Sequence, residues 1–260
     1  MIGNYATFDL GESYYHQRSV MALIISKLPV SISLGMWTFF IVYLTCVPLG
    51  IAKAVRDGTP FDIASSTVIL VGYAIPGFVL GIVLLVLFGG GSFWDVFPLR
   101  GLVSDNWEEL SLFGKITDYL WHITLPVISL VVGSFAVMTM LTKNSFIEEL
   151  RKQYVLTARA KGLLQNRVLY RHVFRNAMIP LVTGFPAAFI GAFFTGSILI
   201  ETIFSLDGLG LLSYDSIMKR DYPVVLGTLY LFTLLGLLAK LVTDLCYVLI
   251  DPRIQFGAAK

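Results

Sequence analysis

The chain has 260 residues, of which 56% are hydrophobic and 14% charged, and its mean hydropathy is +0.78. Soluble domains carry about 25% charged residues, so this composition excludes an ordinary soluble protein and places the chain in a membrane. The formal net charge is only +2, and its distribution matters more than its sum.

A transmembrane helix needs roughly 20 mostly apolar residues, and five stretches meet that length: about 30–52, 63–88, 123–142, 177–200 and 223–250. Each contains Gly or Pro, including Pro48, Pro76, Pro126, Pro180 and Pro186. Membrane helices tolerate these residues where neighbouring helices satisfy the freed backbone groups, so a packed bundle is expected.

The first 29 residues hold no apolar run long enough for an anchor and are read as an outer lead segment. The first span, 30–52, ends at Lys53 and Arg56. The second is interrupted by Gly72-Tyr73-Ala74-Ile75-Pro76-Gly77. Irregular backbone at membrane depth is tolerated where it is buried or lines a cavity, so Tyr73 and Pro76 are candidates for a translocation path, with a packing kink as the alternative. The connection from Gly89 to Trp121 carries Trp94, Trp107 and Trp121, which suit an aromatic belt at the membrane interface; a partner surface is the other reading.

After the third span, residues 143–176 hold eight of the nineteen basic residues: Lys143, Arg151, Lys152, Arg159, Lys161, Arg167, Arg171 and Arg175. Cytoplasmic loops carry an excess of Lys and Arg, so this loop is placed inside. Twelve basic residues then lie inside and six outside, with Lys240 within a span. The carboxyl-terminal tail, 251–260, falls inside and the amino terminus outside. An additional preceding helix would deliver the amino terminus there, giving six helices of which five are visible.

Within the loop, Thr157, Ala158 and Ala160 favour a short helix with small side chains, and Gly162 supplies a C-terminal stop. Arg167, Arg171 and Arg175 recur every four residues, with Leu169 and Val173 as an apolar stripe at the same spacing, which predicts an amphipathic helix running into Pro180. Such a helix can lie in the headgroup region with its arginines on anionic lipid. That reading leaves the small-residue helix unexplained, since small side chains suit close docking in a protein groove.

The run Thr157-Ala158-Arg159-Ala160-Lys161-Gly162, followed by Arg171-His172-Val173-Phe174-Arg175-Asn176-Ala177-Met178-Ile179-Pro180, resembles the EAA loop of ABC importer permeases, in the dipeptide, oligopeptide and nickel branch. Phe8 to Ser13, Lys27 to Ile32, Val47 to Gly50 and Asp251-Pro252-Arg253 resemble other segments of that family, so the likeness extends over nearly the whole chain. Phe97 to Leu102 and Thr139 to Ser145 look similar to permeases of microcin C-type peptide importers.

The resemblance implies an all-α, polytopic helix bundle of the type I ABC importer permease kind, in a bacterial inner membrane. The expected partners are a second homologous permease, cytoplasmic ABC ATPase domains, a periplasmic substrate-binding protein, membrane lipid and a peptide substrate, with a nickel or other small-solute importer as the alternative. The short helix would seat in an ATPase cleft, assigning coupling to Thr157, Ala158, Arg159, Ala160 and Gly162. Where the motif usually opens with glutamate this chain has Leu156, so contacts of that acid do not carry over.

The sequence contains no GxxxxGK[ST] phosphate loop, so hydrolysis is assigned to a partner chain, and no cofactor is expected. His16, His122 and His172, with Cys46 and Cys246, lack metal-ligand spacing. No HExxH or GxSxG motif supports an intramembrane enzyme. Lys240 and Asp244 stand four apart in the last span, hence on one helix face, and are expected to pair toward the bundle interior, as a helix lock or as part of the path. They are also the only candidates for the coupling site of an ion-driven transporter.

Overall fold

The computed structural model describes residues 2–90, 93–194 and 197–250. Apart from two isolated bridges, Glu12 with Ser19 and Gly89 with Phe97, the regular structure among these residues is helical. In chain order it comprises α1 (Ile2–Ala6), α2 (Val20–Val55), α3 (Pro60–Ala74), α4 (Gly77–Phe88), α5 (Leu112–Leu150), α6 (Gln153–Ala160), α7 (Gln165–Val168), α8 (Phe174–Ala177), α9 (Ile179–Phe193), α10 (Ile198–Ile203), α11 (Leu209–Met218) and α12 (Tyr222–Ile250). Helices α2, α5 and α12, and the run Ile179–Ile203, are long and apolar enough to cross a membrane, and α3 and α4 reach that length and apolarity only when taken together as a pair.

The helix boundaries follow from local chemistry. Ser19 opens α2, its Oγ accepting the Ala22 N–H at 3.2 Å, and Ser111 does the same for Gly114 at α5. Thr59 caps α3, with Pro60 in the first turn where no N–H is needed. Ile75 is extended (φ −87°, ψ 118°), as the residue before a proline prefers, which explains the break at Pro76. Such caps lengthen the helices beyond the apolar stretches. Helix α2 begins at Val20, ten residues before the apolar stretch, and α5 continues to Leu150, through the first eight residues of the basic segment.

The chain divides into two compact units. The first contains Met1–Thr38, Pro76–Leu130 and Phe189–Leu238. Its core gathers Leu10, Val20, Leu23, Ile24, Leu209, Leu212 and Val224. The lead segment is pinned there by the buried carboxylate of Asp221, which accepts from Ser13 Oγ and from the backbone N–H of Tyr14. The buried Glu201 carboxylate accepts from the N–H groups of Ser197, Gly210 and Leu211, satisfying donors at the start of α11 that would otherwise be orphaned. Gly208 lies against that carboxylate, with no room for a Cβ. Trp121 stacks on Phe97 at 4.6 Å and Trp94 packs on Phe88 at 5.2 Å.

The second unit contains Phe39–Ile75, Val131–Ala188 and Ala239–Lys260. Gly50 of α2 meets Thr139 and Thr142 of α5 so closely that a Cβ would clash, the small-residue approach by which membrane helices pack without a hydrophobic driving force. All residues of the loop motif lie in this unit.

Candidate functional site

Helix α6 has two faces. Val155 and Ala158 are buried in a cluster with Ala54 of α2, Phe146 of α5, Val168, Leu169, Val173 and Ala177. Thr157, Arg159, Ala160, Lys161 and Gly162 are exposed. Two leucines are exposed with them, Leu156 at 50% and Leu164 at 79%. Ala158 therefore packs inside the chain and is unavailable to a docking partner, while Leu156, at the position where a glutamate was expected, presents apolar surface.

The end of α6 is a Schellman turn. The Gly162 N–H reaches the Arg159 carbonyl at 2.9 Å and the Leu163 N–H reaches that of Ala158 at 3.3 Å. Gly162 has φ +78° and no neighbour within 4 Å of a hypothetical Cβ, so glycine is required by the backbone and not by crowding.

The start of α6 is anchored by Glu149, which is buried at the end of α5. Its carboxylate pairs with Lys152 and accepts the Tyr154 hydroxyl at 2.6 Å. Asn176 donates to the same hydroxyl at 3.3 Å. Burial, and secondarily the Glu149 carboxylate, push the Tyr154 phenol above its ordinary pKa, keeping it a donor.

The second helix of the motif is not a uniform α-helix. Leu169–Val173 forms a π turn between α7 and α8, closed by the Phe174 N–H on the Leu169 carbonyl. Leu169 and Val173 are buried and Arg167, Arg171 and Arg175 exposed, as their spacing implies. A four-residue repeat cannot reveal one inserted residue. Pro180 falls in the first turn of α9.

A buried ionic cluster, unseen in the sequence, joins the ends of α2, α3 and α5. Lys53 has no exposed surface. Its ammonium donates to the Asp62 carbonyl at 2.8 Å, Ser65 Oγ at 2.7 Å and Ser66 Oγ at 2.8 Å and pairs with Asp62 Oδ1 at 3.0 Å. Lys143 of α5 bridges Asp62 Oδ2 at 2.7 Å and Asp57 Oδ1 at 3.0 Å. Arg151 reaches Asp57 Oδ2 at 3.9 Å. The α3 N-terminus further favours the Asp62 charge. Positive-inside counting treats Lys53 and Lys143 as solvated loop charges; both are structural.

Tyr73 is exposed near the end of α3 and Pro76 precedes α4. Lys240 and Asp244 do not form the expected pair: Lys240 is exposed, Asp244 is half-buried, and no ion pair joins them among the described residues. Leu237, Leu238, Leu241 and Leu245 are exposed around them, so this side of α12 is not the packed side within the chain. The tail motif Asp251-Pro252-Arg253 lies outside the described residues.

Residues 46–256 match the family model of the binding-protein-dependent transport system inner membrane component. The chain is 60% identical over 256 residues to the peptidoglycan transport system permease protein YejB of Agrobacterium fabrum, covering 98% of this chain and 70% of that protein. It is 59% identical to the inner membrane ABC transporter permease protein YejB of Escherichia coli O157:H7, with the same coverage. The dipeptide transport system permease protein DppB of Escherichia coli is 34% identical, over 95% of this chain and 77% of that protein. Among solved structures, a chain of the MetNI methionine ABC transporter in an inward-facing conformation superposes with a TM-score of 0.62 at 16% identity, over 89% of this chain and 97% of that one; at this identity the likeness concerns the fold.

Proposed function

Since the chain belongs to the family of binding-protein-dependent transport system inner membrane components, and is a permease component of an ABC importer, we propose that it carries peptides inward across the bacterial inner membrane. The substrate reading rests on its relatives, which are named for peptidoglycan and dipeptide transport. We assign hydrolysis to partner ATPase chains, substrate capture to a soluble binding protein, and the other half of the pathway to a second, homologous permease. The domain reading follows: residues 30–250 as the membrane domain, 143–176 as its cytoplasmic coupling segment and 251–260 as a cytoplasmic tail.

The observation that carries the coupling assignment is the two-faced α6. Its outward side offers Leu156, Thr157, Arg159 and Ala160, with Leu164 just beyond the Gly162 turn, for burial in an ATPase cleft. Its inward side, Val155 and Ala158, is packed on the ends of α2 and α5. A displacement of α6 is thereby delivered to the spans, because packed interiors transmit strain. Lys53, Asp62 and Lys143 hold those ends together, so they move as a body. Tyr73 and Pro76, at the broken span, remain our candidates for the pathway. Lys240 and Asp244, on the unpacked side of α12, are assigned to contact with another element of the assembly or to the path.

The test is ATP-dependent uptake of tri-alanine into proteoliposomes containing this chain with its sibling, ATPase and binding protein. Uptake should require ATP, and Gly162→Asp should abolish it while the subunits still insert in the membrane. Full uptake by that variant would refute the coupling role, and uptake surviving ATP depletion would refute the energy source.

A further inference from the structure

The three arginines that follow the coupling turn have no carboxylate partner among the described residues, and the helix that carries them leads into an apolar groove. Met178 has helical backbone (φ −79°, ψ −11°), so α8 runs on into α9. Arg175, Met178 and Val182 are spaced i, i+3 and i+7 and share a side of that run. Met178, Leu181 and Val182 line one wall of the groove, and Leu44, Val47 and Pro48 of α2 line the other. Tyr43 and Phe185 close its far end with rings 5.4 Å apart.

We propose that this is a binding site for an anionic phospholipid of the inner leaflet, with its phosphate on Arg171 and Arg175 and an acyl chain in the groove. The groove wall offers almost no hydrogen-bonding group, so it favours an apolar occupant. Arg175 stands one turn toward the basic end and Arg171 a further turn on, both without a carboxylate partner among the described residues, and guanidiniums hold phosphate in bidentate geometry. A helix of another subunit would fill the groove and leave the arginines without counter-charge; a phospholipid supplies both halves in one molecule. Basic pockets beside transmembrane helices on the cytoplasmic side recognise lipid headgroups in this way. Because Val173 and Ala177 of the same run belong to the cluster that buries α6, the lipid sits against the coupling segment and stiffens it. The inference rests on the reading above that residues 143–176 face the cytoplasm.

The assembled complex is purified and examined by native mass spectrometry after adding dioleoyl phosphatidylglycerol or dioleoyl phosphatidylcholine. The complex should retain phosphatidylglycerol preferentially. Arg171→Gln with Arg175→Gln should weaken that retention roughly tenfold, to the phosphatidylcholine level. Val182→Trp, which fills the groove, should reduce retention of both lipids while leaving thermal unfolding unchanged. Equal retention of the two lipids by the unaltered complex, or an undiminished preference in the double arginine variant, overturns the site. A second subunit found cross-linked through Val182→Cys would also overturn it, by showing the groove filled with protein. A separate assay keeps the orientation independent: Leu164→Cys, with Cys46 and Cys246 replaced, should react with an impermeant maleimide in inside-out vesicles only. Labelling from the opposite side would defeat the cytoplasmic reading itself, whatever the lipid result.

Discussion

Asp62 sits between two lysines at the junction of three helices, and almost none of the three side chains reaches solvent. Removing one member of such a group leaves buried charge uncompensated, whereas replacing the whole group with apolar residues of similar size is often tolerated. Asp62→Ala should therefore lower the unfolding free energy by about 3–5 kcal/mol, and the triple change Lys53→Met, Asp62→Leu, Lys143→Met should recover most of it. Thermal unfolding in detergent measures both; equal stability of Asp62→Ala and the parent would show that the cluster does not form. The sequence hid it because Lys53 and Lys143 are 90 positions apart, and a positive residue near a helix end reads the same whether it is solvated or buried. Gly162 is the opposite case. Its left-handed backbone was legible because glycine is the residue that pays least for it, and the turn needs only local residues.

At the scale of the element, α6 is eight residues long, too short to be stable alone in water. Its helicity comes from burying Val155 and Ala158, and its ends are tied by the Glu149 and Gly162 interactions. The two faces should respond differently to charge. Leu156→Asp should leave thermal unfolding unchanged within about 0.5 kcal/mol, as exposed substitutions do, yet prevent co-purification of the ATPase. Ala158→Asp should destabilise the chain by several kcal/mol, of the order set by burying an unpaired carboxylate. Co-purification of ATPase with Leu156→Asp at the parent level would remove that face from the interface. The composition of the segment pointed to a short docking helix, but assigned its alanines one common role. Only the packing separates Ala158, turned inward, from Ala160, turned outward. The π turn was similarly invisible, because it preserves the exposure of Arg167, Arg171 and Arg175 while shifting the helical register.

For the molecule as a whole, the order of the spans followed from apolar length: four helical runs are long and apolar enough to cross a membrane, or five if α3 and α4 count together as one. The expectation that failed concerned α12, where four-residue spacing was taken to mean an inward-facing ion pair. Spacing shows that two residues share a face; it does not show which face is packed. Lys240→Leu in the isolated chain should leave thermal unfolding within about 0.5 kcal/mol of the parent, with no further effect of Asp244→Leu. A large loss on the first change, relieved by the second, would restore the pair.

Hydropathy, turn residues and charge asymmetry were enough to establish a helical membrane protein with a basic segment after its third span, since each is a local or additive property that any folded state must respect. The burial of Lys53 and Lys143, the partners of Glu149, the division of α6 into an inner and an outer face and the outward placement of Lys240 on α12 all depend on which distant segments meet. Those meetings are set by packing among helices whose outward appearance in the sequence is equally apolar on every side, so they came into view only with the folded chain.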